Sequence, residues 1–343
     1  MFQSWALSHV EWWHVSNRTR WLLPLLLICG FGCASKPYQY GHFGGSTNHD
    51  SVSEVAFEYG RPNKILDRMA WVAGVPSRVL SLSSEVNNHS LSRASSEKVA
   101  TYLQENDLND VLVRVNQYDP AGEWRRLRSN VRMAPGWRYS VGLVGLAGYT
   151  LFPGRVFGGD HYNPFTNSLH VNSDVPALLI VEAAYAKDIH SRRLPGTYAA
   201  INEFPVLAIW RYSKSVDDAL GYAKLNDDWD VEKETYRIVY PLIGLQVAMG
   251  GHSTASGIAR MSILTAPISA ISGSIAGHAC GQTAIALRES QRNSKSSNDS
   301  PDGVEPGEVE PAGVEPDGVE PDDAKVAAKS AQAPPLLPVK LRK

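Results

Sequence analysis

The chain has 343 residues, a formal net charge of −2 and only three cysteines. That balance, with no basic stripe interleaved with aromatics, gives no electrostatic case for nucleic acid, and three cysteines build no disulfide framework. Both ends look non-globular, leaving one domain's worth of core at about 52–287.

The N-terminal segment 1–33 has the order of a secretory signal: Arg18 and Arg20, a short apolar run from Trp21 to Cys29, then small residues. It ends on Gly32-Cys33 and resembles a bacterial lipobox, although Gly30 stands where that pattern prefers leucine. The resemblance implies lipidation at Cys33 and an envelope protein attached to a membrane by a lipid, on the periplasmic or extracytoplasmic face. An uncleaved anchor is the alternative, with an apolar run shorter than the ~20 residues of a spanning helix. Cys29 lies in the signal, so Cys280 is expected to stand alone.

Ser95 to Asn106 carries Val99, Tyr102 and Leu103 at helical spacing. Asp110 to Tyr118 alternates like a strand with one polar face, bearing Arg114. Helix and strand together indicate an α+β fold. Arg125, Arg126 and Arg128 are expected at the surface or beside buried acids. Tyr139 to Pro153 is apolar with Gly142, Gly145 and Gly148 three apart, a spacing that fits close helix packing and not a dinucleotide site.

Gly158-Gly159-Asp160 and Asn163-Pro164 mark tight turns, and Leu169 to Val171 reads as a short strand leading into a helix. Ser173 or Asp174 is the expected cap of that helix, with Pro176 in its first turn. From Ala177 to Ala186 the helix is apolar except for Glu182. A buried carboxylate costs several kcal/mol unless paired (about 2–7 kcal/mol for a polar group alone, more for a charge), and candidate cations are Arg125, Arg126 and Lys187.

Glu182 sits at the glutamate position of the pattern H-E-x-x-H, in which two histidines hold zinc and the glutamate activates water. Val181 and Tyr185 occupy the histidine positions. The block from Trp124 to Tyr222 strengthens the likeness through Trp124-Arg125-Arg126-Leu127, Pro153-Gly154-Arg155, Asn163 to Asn167, Ser173 to Ala177 and Asp218 to Tyr222. As a set these resemble a bacterial exported family whose members read His-Glu-x-x-His-Ala-Lys-Asp where this chain has Val181 to Asp188. The resemblance covers roughly Arg61 to Gly250. It implies a zincin-like, gluzincin-type metallopeptidase scaffold, a helical domain with a small sheet. In it Glu182 is a relic general base, Val181 and Tyr185 are degenerate ligand positions, and Asp217 or Asp218 matches an acidic third ligand.

Valine has no donor atom and a neutral phenol binds zinc poorly, so no metal is expected. His190 lies ~12 Å from Glu182 along the helix, too far to share an ion; His161 and His170 approach from the preceding hairpin. Three functions follow. The first is a membrane-attached, exported protein with a degenerate, non-catalytic metallopeptidase-like domain that binds a protein partner or serves a structural role, without cofactor. The second is an active metal-dependent hydrolase rebuilt around Glu182, Asp217 or Asp218, and His161 or His170, with zinc. The third is a membrane-embedded protein packing through a small-residue helix.

That last possibility rests on Ser269, Gly273, Gly277 and Gly281, which recur every fourth residue and form one small stripe within 238–287. Packing in a helical hairpin against the domain is the first expectation. Beyond it, residues 288–343 read as an extended disordered tail, because Val-Glu-Pro recurs at Val304, Val309, Val314 and Val319 and no Lys or Arg lies between Ser296 and Asp323.

Overall fold

The computed structural model describes residues 38–40, 55–203, 205–259 and 266–298. The signal, Cys33 and the Val-Glu-Pro repeats lie outside them. In chain order the elements are β1 (Phe57–Tyr59), α1 (Lys64–Ala73), α2 (Val75–Ser81), α3 (Arg93–Glu105), β2 (Leu112–Val115) and α4 (Pro120–Ser129). A helical turn at Pro135–Trp137 and a π segment at Arg138–Gly142 then lead into α5 (Leu143–Leu151) and α6 (Gly154–Phe157). Next come β3 (His161–Asn163), β4 (Ser168–Val171), α7 (Pro176–His190), α8 (Pro195–Asn202), α9 (Pro205–Leu225) and α10 (Trp229–Glu234). A second π segment at Thr235–Val239 opens α11 (Tyr240–Ala259), and α12 is Ala266–Asn298.

The fold is α+β. Its sheet has the order β1-β2-β4-β3, with β1, β2 and β4 parallel and β3 antiparallel at the edge. Long helical crossovers separate the parallel strands, as parallel pairing requires. β2 is buried along its whole length, so the expected polar face is corrected: Arg114 is inside, its Nε 2.9 Å from Oε1 of buried Glu123. An internal carboxylate lets a charged residue occupy a core position.

α3 begins at Ser92, whose Oγ accepts the Ser95 amide at 3.1 Å, and it buries Val99, Tyr102 and Leu103. Asp174 serves that same helix end, accepting from the Ser92 amide at 3.0 Å and the Ser95 hydroxyl at 2.5 Å. Ser173 donates to Asp160. Neither residue therefore caps α7, contrary to expectation. Pro176 is at its first turn as expected, and Glu234 from α10 accepts the Ala177 amide at 2.8 Å. A distant carboxylate thus meets the orphan donors and the positive end of the α7 dipole.

α7 runs through the middle of the core. Leu179, Ile180, Val181, Ala183, Ala184, Tyr185 and Ile189 are all buried, and each large side chain among them contributes about 1.5–3 kcal/mol. The glycine stripe also has a local role, as the crossing of α11 and α12. A Cβ at Gly273 would meet Gly244 O at 2.2 Å, one at Gly277 would meet Tyr240 O at 2.4 Å, and one at Gly281 would meet Tyr236 O at 2.0 Å. Among the described residues no helix is long and apolar enough to cross a membrane. In the earlier glycine series only Gly142 is in a tight contact, against Phe165 and Leu127, whereas Gly145 and Gly148 face open space.

Two expectations at the C-terminal side change. α12 continues to Asn298, so residues 288–298 are helical instead of extended. Arg288, Glu289, Gln291 and Arg292 favour helix, and the prolines begin only at Pro301. Cys280 is disulfide-bonded, so this sulfur does not stand alone.

Candidate functional site

The site is built where α7, α9 and the edge strand β3 meet. Glu182 is 3 % exposed. Its Oε2 accepts the Tyr162 amide from β3 at 3.1 Å, and its Oε1 lies 3.8 Å from Nη2 of Arg211 on α9. The same guanidinium covers the rings of Tyr185 at 4.3 Å and Tyr212 at 4.4 Å. A delocalised planar cation suits that combination of carboxylate and aromatic faces.

Arg211 is therefore the partner of Glu182, and none of the three cations proposed from the sequence is. Arg125 is exposed with Asp119 4.0 Å away, Arg126 donates to the carbonyls of Thr166 at 2.8 Å and Asn167 at 2.6 Å, and Lys187 pairs with Asp218 at 2.7 Å. Burial pushes the Glu182 carboxyl above its ordinary value, while Arg211 and the Tyr162 amide pull it back. Burial works against the Arg211 cation as well, but Glu182 and the neighbouring phenols outweigh it and keep the guanidinium firmly charged.

Val181 and Tyr185 flank this pair differently. Val181 lines a cavity of about 150 Å³ together with Glu182, Asp160, Asn87, Tyr212 and Gln246. Tyr185 packs edge-on against Tyr162 with centroids 5.8 Å apart. Burial holds its phenol proton well above the usual range, against the opposing pull of Arg211. Asp160 in the cavity wall accepts the amides of Asn172 at 2.7 Å and Ser173 at 2.9 Å.

The other expected site residues are engaged elsewhere. Asp218 binds Lys187 and accepts the Tyr102 hydroxyl, and Lys187 also donates to Gln39 O at 2.6 Å. Asp217 is half-buried, and desolvation raises its carboxyl to about 6. His161 and His170 stack at 4.7 Å, nearly parallel, and His161 Nδ1 lies 2.9 Å from Gly159 O. Burial lowers His161 to about 4. His170 Nε2 is 3.8 Å from Glu123. Burial pushes the Glu123 carboxyl up, yet His170 and Arg114 more than offset this and hold it at about 2. His190 faces Tyr162 and Asn167, with Nε2 3.4 Å from the Tyr162 hydroxyl and 3.2 Å from Asn167 Oδ1.

Zinc does not fit these residues. Val181 offers no lone pair, Tyr185 retains its proton beneath a guanidinium, and a dication beside Glu182 would face the fixed charge of Arg211. Among the described residues no three of His, Cys, Asp or Glu gather in a group that could hold a metal.

Sequence reasoning missed Arg211, Tyr162, Tyr212 and Asp160. One signal was available for the first: Trp210-Arg211-Tyr212 places a cation between aromatics a few residues before Asp217 and Asp218, the expected acidic ligand positions. No family model, curated protein or solved structure matches the chain.

Proposed function

We propose that the protein is an exported, membrane-attached module whose α+β domain has a metallopeptidase-like scaffold without a catalytic metal, serving a binding or structural role. The observation that carries this reading is the Arg211 guanidinium, 3.8 Å from Glu182 Oε1 and over the Tyr185 ring. In an H-E-x-x-H site a general-base glutamate stands beside a metal and takes a proton from its water. Here the carboxylate is satisfied by the edge-strand amide and by a cation belonging to the chain itself. Val181 turns an apolar surface to the adjacent cavity. Supporting the scaffold, an edge strand and its partner β4 lead directly into the glutamate-bearing helix, in keeping with the strand-then-helix order expected from the resemblance.

The test is metal analysis of the purified full chain together with peptidase assays in the presence and absence of chelator. Substoichiometric zinc and no chelator-sensitive cleavage are expected. One tightly held zinc per chain, or cleavage abolished by Glu182→Gln, overturns the proposal.

A further inference from the structure

A row of neighbouring helices exposes apolar side chains where a water-facing surface would carry polar ones. On α5 and the turn before α6, Leu151 is 75 % and Phe152 63 % exposed, and Phe157 packs edge-on against Phe152 at 6.2 Å. α6 is tied to α1 by the Arg155–Asp67 ion pair, and Arg155 also donates at 2.7 Å to Arg61 O in the segment that leads into α1. Ile65 and Val72 of α1 and Val79 of α2 are exposed, and Ala70 is the one buried residue of α1. α12 joins the row through Ser274 and His278, which contact Leu80 O at 2.6 and 2.9 Å, and it exposes Ile271 and Ile275.

Charge selects the occupant. α1 and α2 carry Lys64, Arg68 and Arg78, with Asp67 as their single acid, and that acid is taken by Arg155. From Tyr139 to Phe152, and from Ala266 to Leu287, there is no Asp, Glu, Lys or Arg. Trp71 of α1 is exposed as well, and an apolar surface of Trp, Phe, Ile and Val bordered by net positive charge has the chemistry of an interfacial membrane contact. We propose that the α1–α2–α5–α6–α12 face lies on an anionic lipid bilayer, penetrating its headgroup region without spanning it. The inference extends the membrane part of the proposed function and is independent of its metal part. It supplies a second contact to a chain held at one end, and two signals are what stable attachment of weakly anchored proteins needs.

The experiment uses the full chain with vesicles of phosphatidylcholine, with or without phosphatidylglycerol. Flotation reports attachment through any part of the protein, and amide hydrogen exchange reports the face. Vesicles containing phosphatidylglycerol are expected to slow exchange several-fold in 64–82 and 143–157, and brominated acyl chains to quench the emission lost in Trp71→Phe. The double variant Val72→Asp/Val79→Asp, at exposed positions, is expected to keep its circular dichroism and lose the slowing, whether or not it still floats.

Flotation of the wild type with exchange unchanged in both segments overturns the proposal, because attachment then lies elsewhere. Slow exchange before lipid is added overturns it in favour of cover by another part of the chain. Slowing that grows with protein concentration alone overturns it in favour of a second copy. Equal slowing on pure phosphatidylcholine overturns the role given to Lys64, Arg68 and Arg78.

Discussion

Replacing Arg211 by methionine removes the cation 3.8 Å from Glu182 Oε1 and leaves the carboxylate with a single amide donor from Tyr162. At that distance, an effective dielectric of about 20 gives a Coulomb attraction of about 4 kcal/mol, and breaking a buried pair from one side costs about 3–5 kcal/mol. The loss must depend on pH. Glu182 already has a raised carboxyl in the folded chain, because burial disfavours its charge, and removing Arg211 raises it further.

A group whose pKa is raised on folding binds more protons folded than unfolded, so stability falls as pH climbs from the unfolded value through the folded one. The variant should therefore lose most stability at pH 8. As pH falls, the raised carboxyl of Glu182 takes a proton more readily, and the deficit should shrink toward the pH-independent cation–π contribution, about 0.5–2 kcal/mol. Urea unfolding of the full chain, followed by circular dichroism at pH 5 and pH 8, measures the difference. Adding Glu182→Gln should recover most of the loss at pH 8, because no buried charge is then left alone, and the double-mutant cycle gives the coupling. Equal destabilisation at both pH values, or strict additivity of the two substitutions, refutes the assignment of Arg211 as the counter-ion.

Two further outcomes follow from local geometry. Gly277→Ala should cost about 1–3 kcal/mol, because its Cβ meets Tyr240 O at 2.4 Å and neither helix backbone moves freely. Gly145→Ala, with nothing within 4 Å, should instead stabilise α5 by about 0.5–1 kcal/mol; thermal unfolding of the pair checks both signs. Burial raises Glu234 from 4.5 to about 7, so its ionisation erodes stability as pH rises across that interval. Glu234→Gln keeps a carbonyl acceptor for the Ala177 amide and should flatten the decline of the urea midpoint between pH 5 and 7; an unchanged slope counts against the cap.

What could be read from the sequence is what local spacing encodes. The burial of α7 follows from ten residues with a single charge, and the stripe of Gly273, Gly277 and Gly281 follows from a period of four. Arg114 shows the limit of alternation: its place in β2 implied a wet face, whereas Glu123, nine residues on, brings it inside. The caps failed for the same reason. Ser173 and Asp174 have the right chemistry at the right offset for α7, yet Asp160 and α3 claim them, and Glu234 arrives from 57 residues downstream. Composition marks a residue as able to cap or pair, and only the tertiary path decides which partner it finds.

Arg211 makes that distinction functional. On the proposed reading, a site that lost both histidines would leave Glu182 buried beside α9 at a cost several times the net stability contribution of an ordinary hydrogen bond, about 1 kcal/mol. A guanidinium can relieve that cost only if the space around the carboxylate accepts a flat cation. Tyr185, at the second histidine position, provides an aromatic face 4.3 Å from the guanidinium carbon, and Tyr212 provides another at 4.4 Å. Val181, at the first histidine position, adds no donor that would need a partner next to the cavity. The three positions are then coupled: restoring histidine at 181 and 185 while Arg211 remains would place two imidazoles against a fixed positive charge and should not restore metal binding. Removing Arg211 in the same chain is the additional change that recovery of a zinc site would require, since it vacates the cation position and returns the Glu182 carboxylate to it.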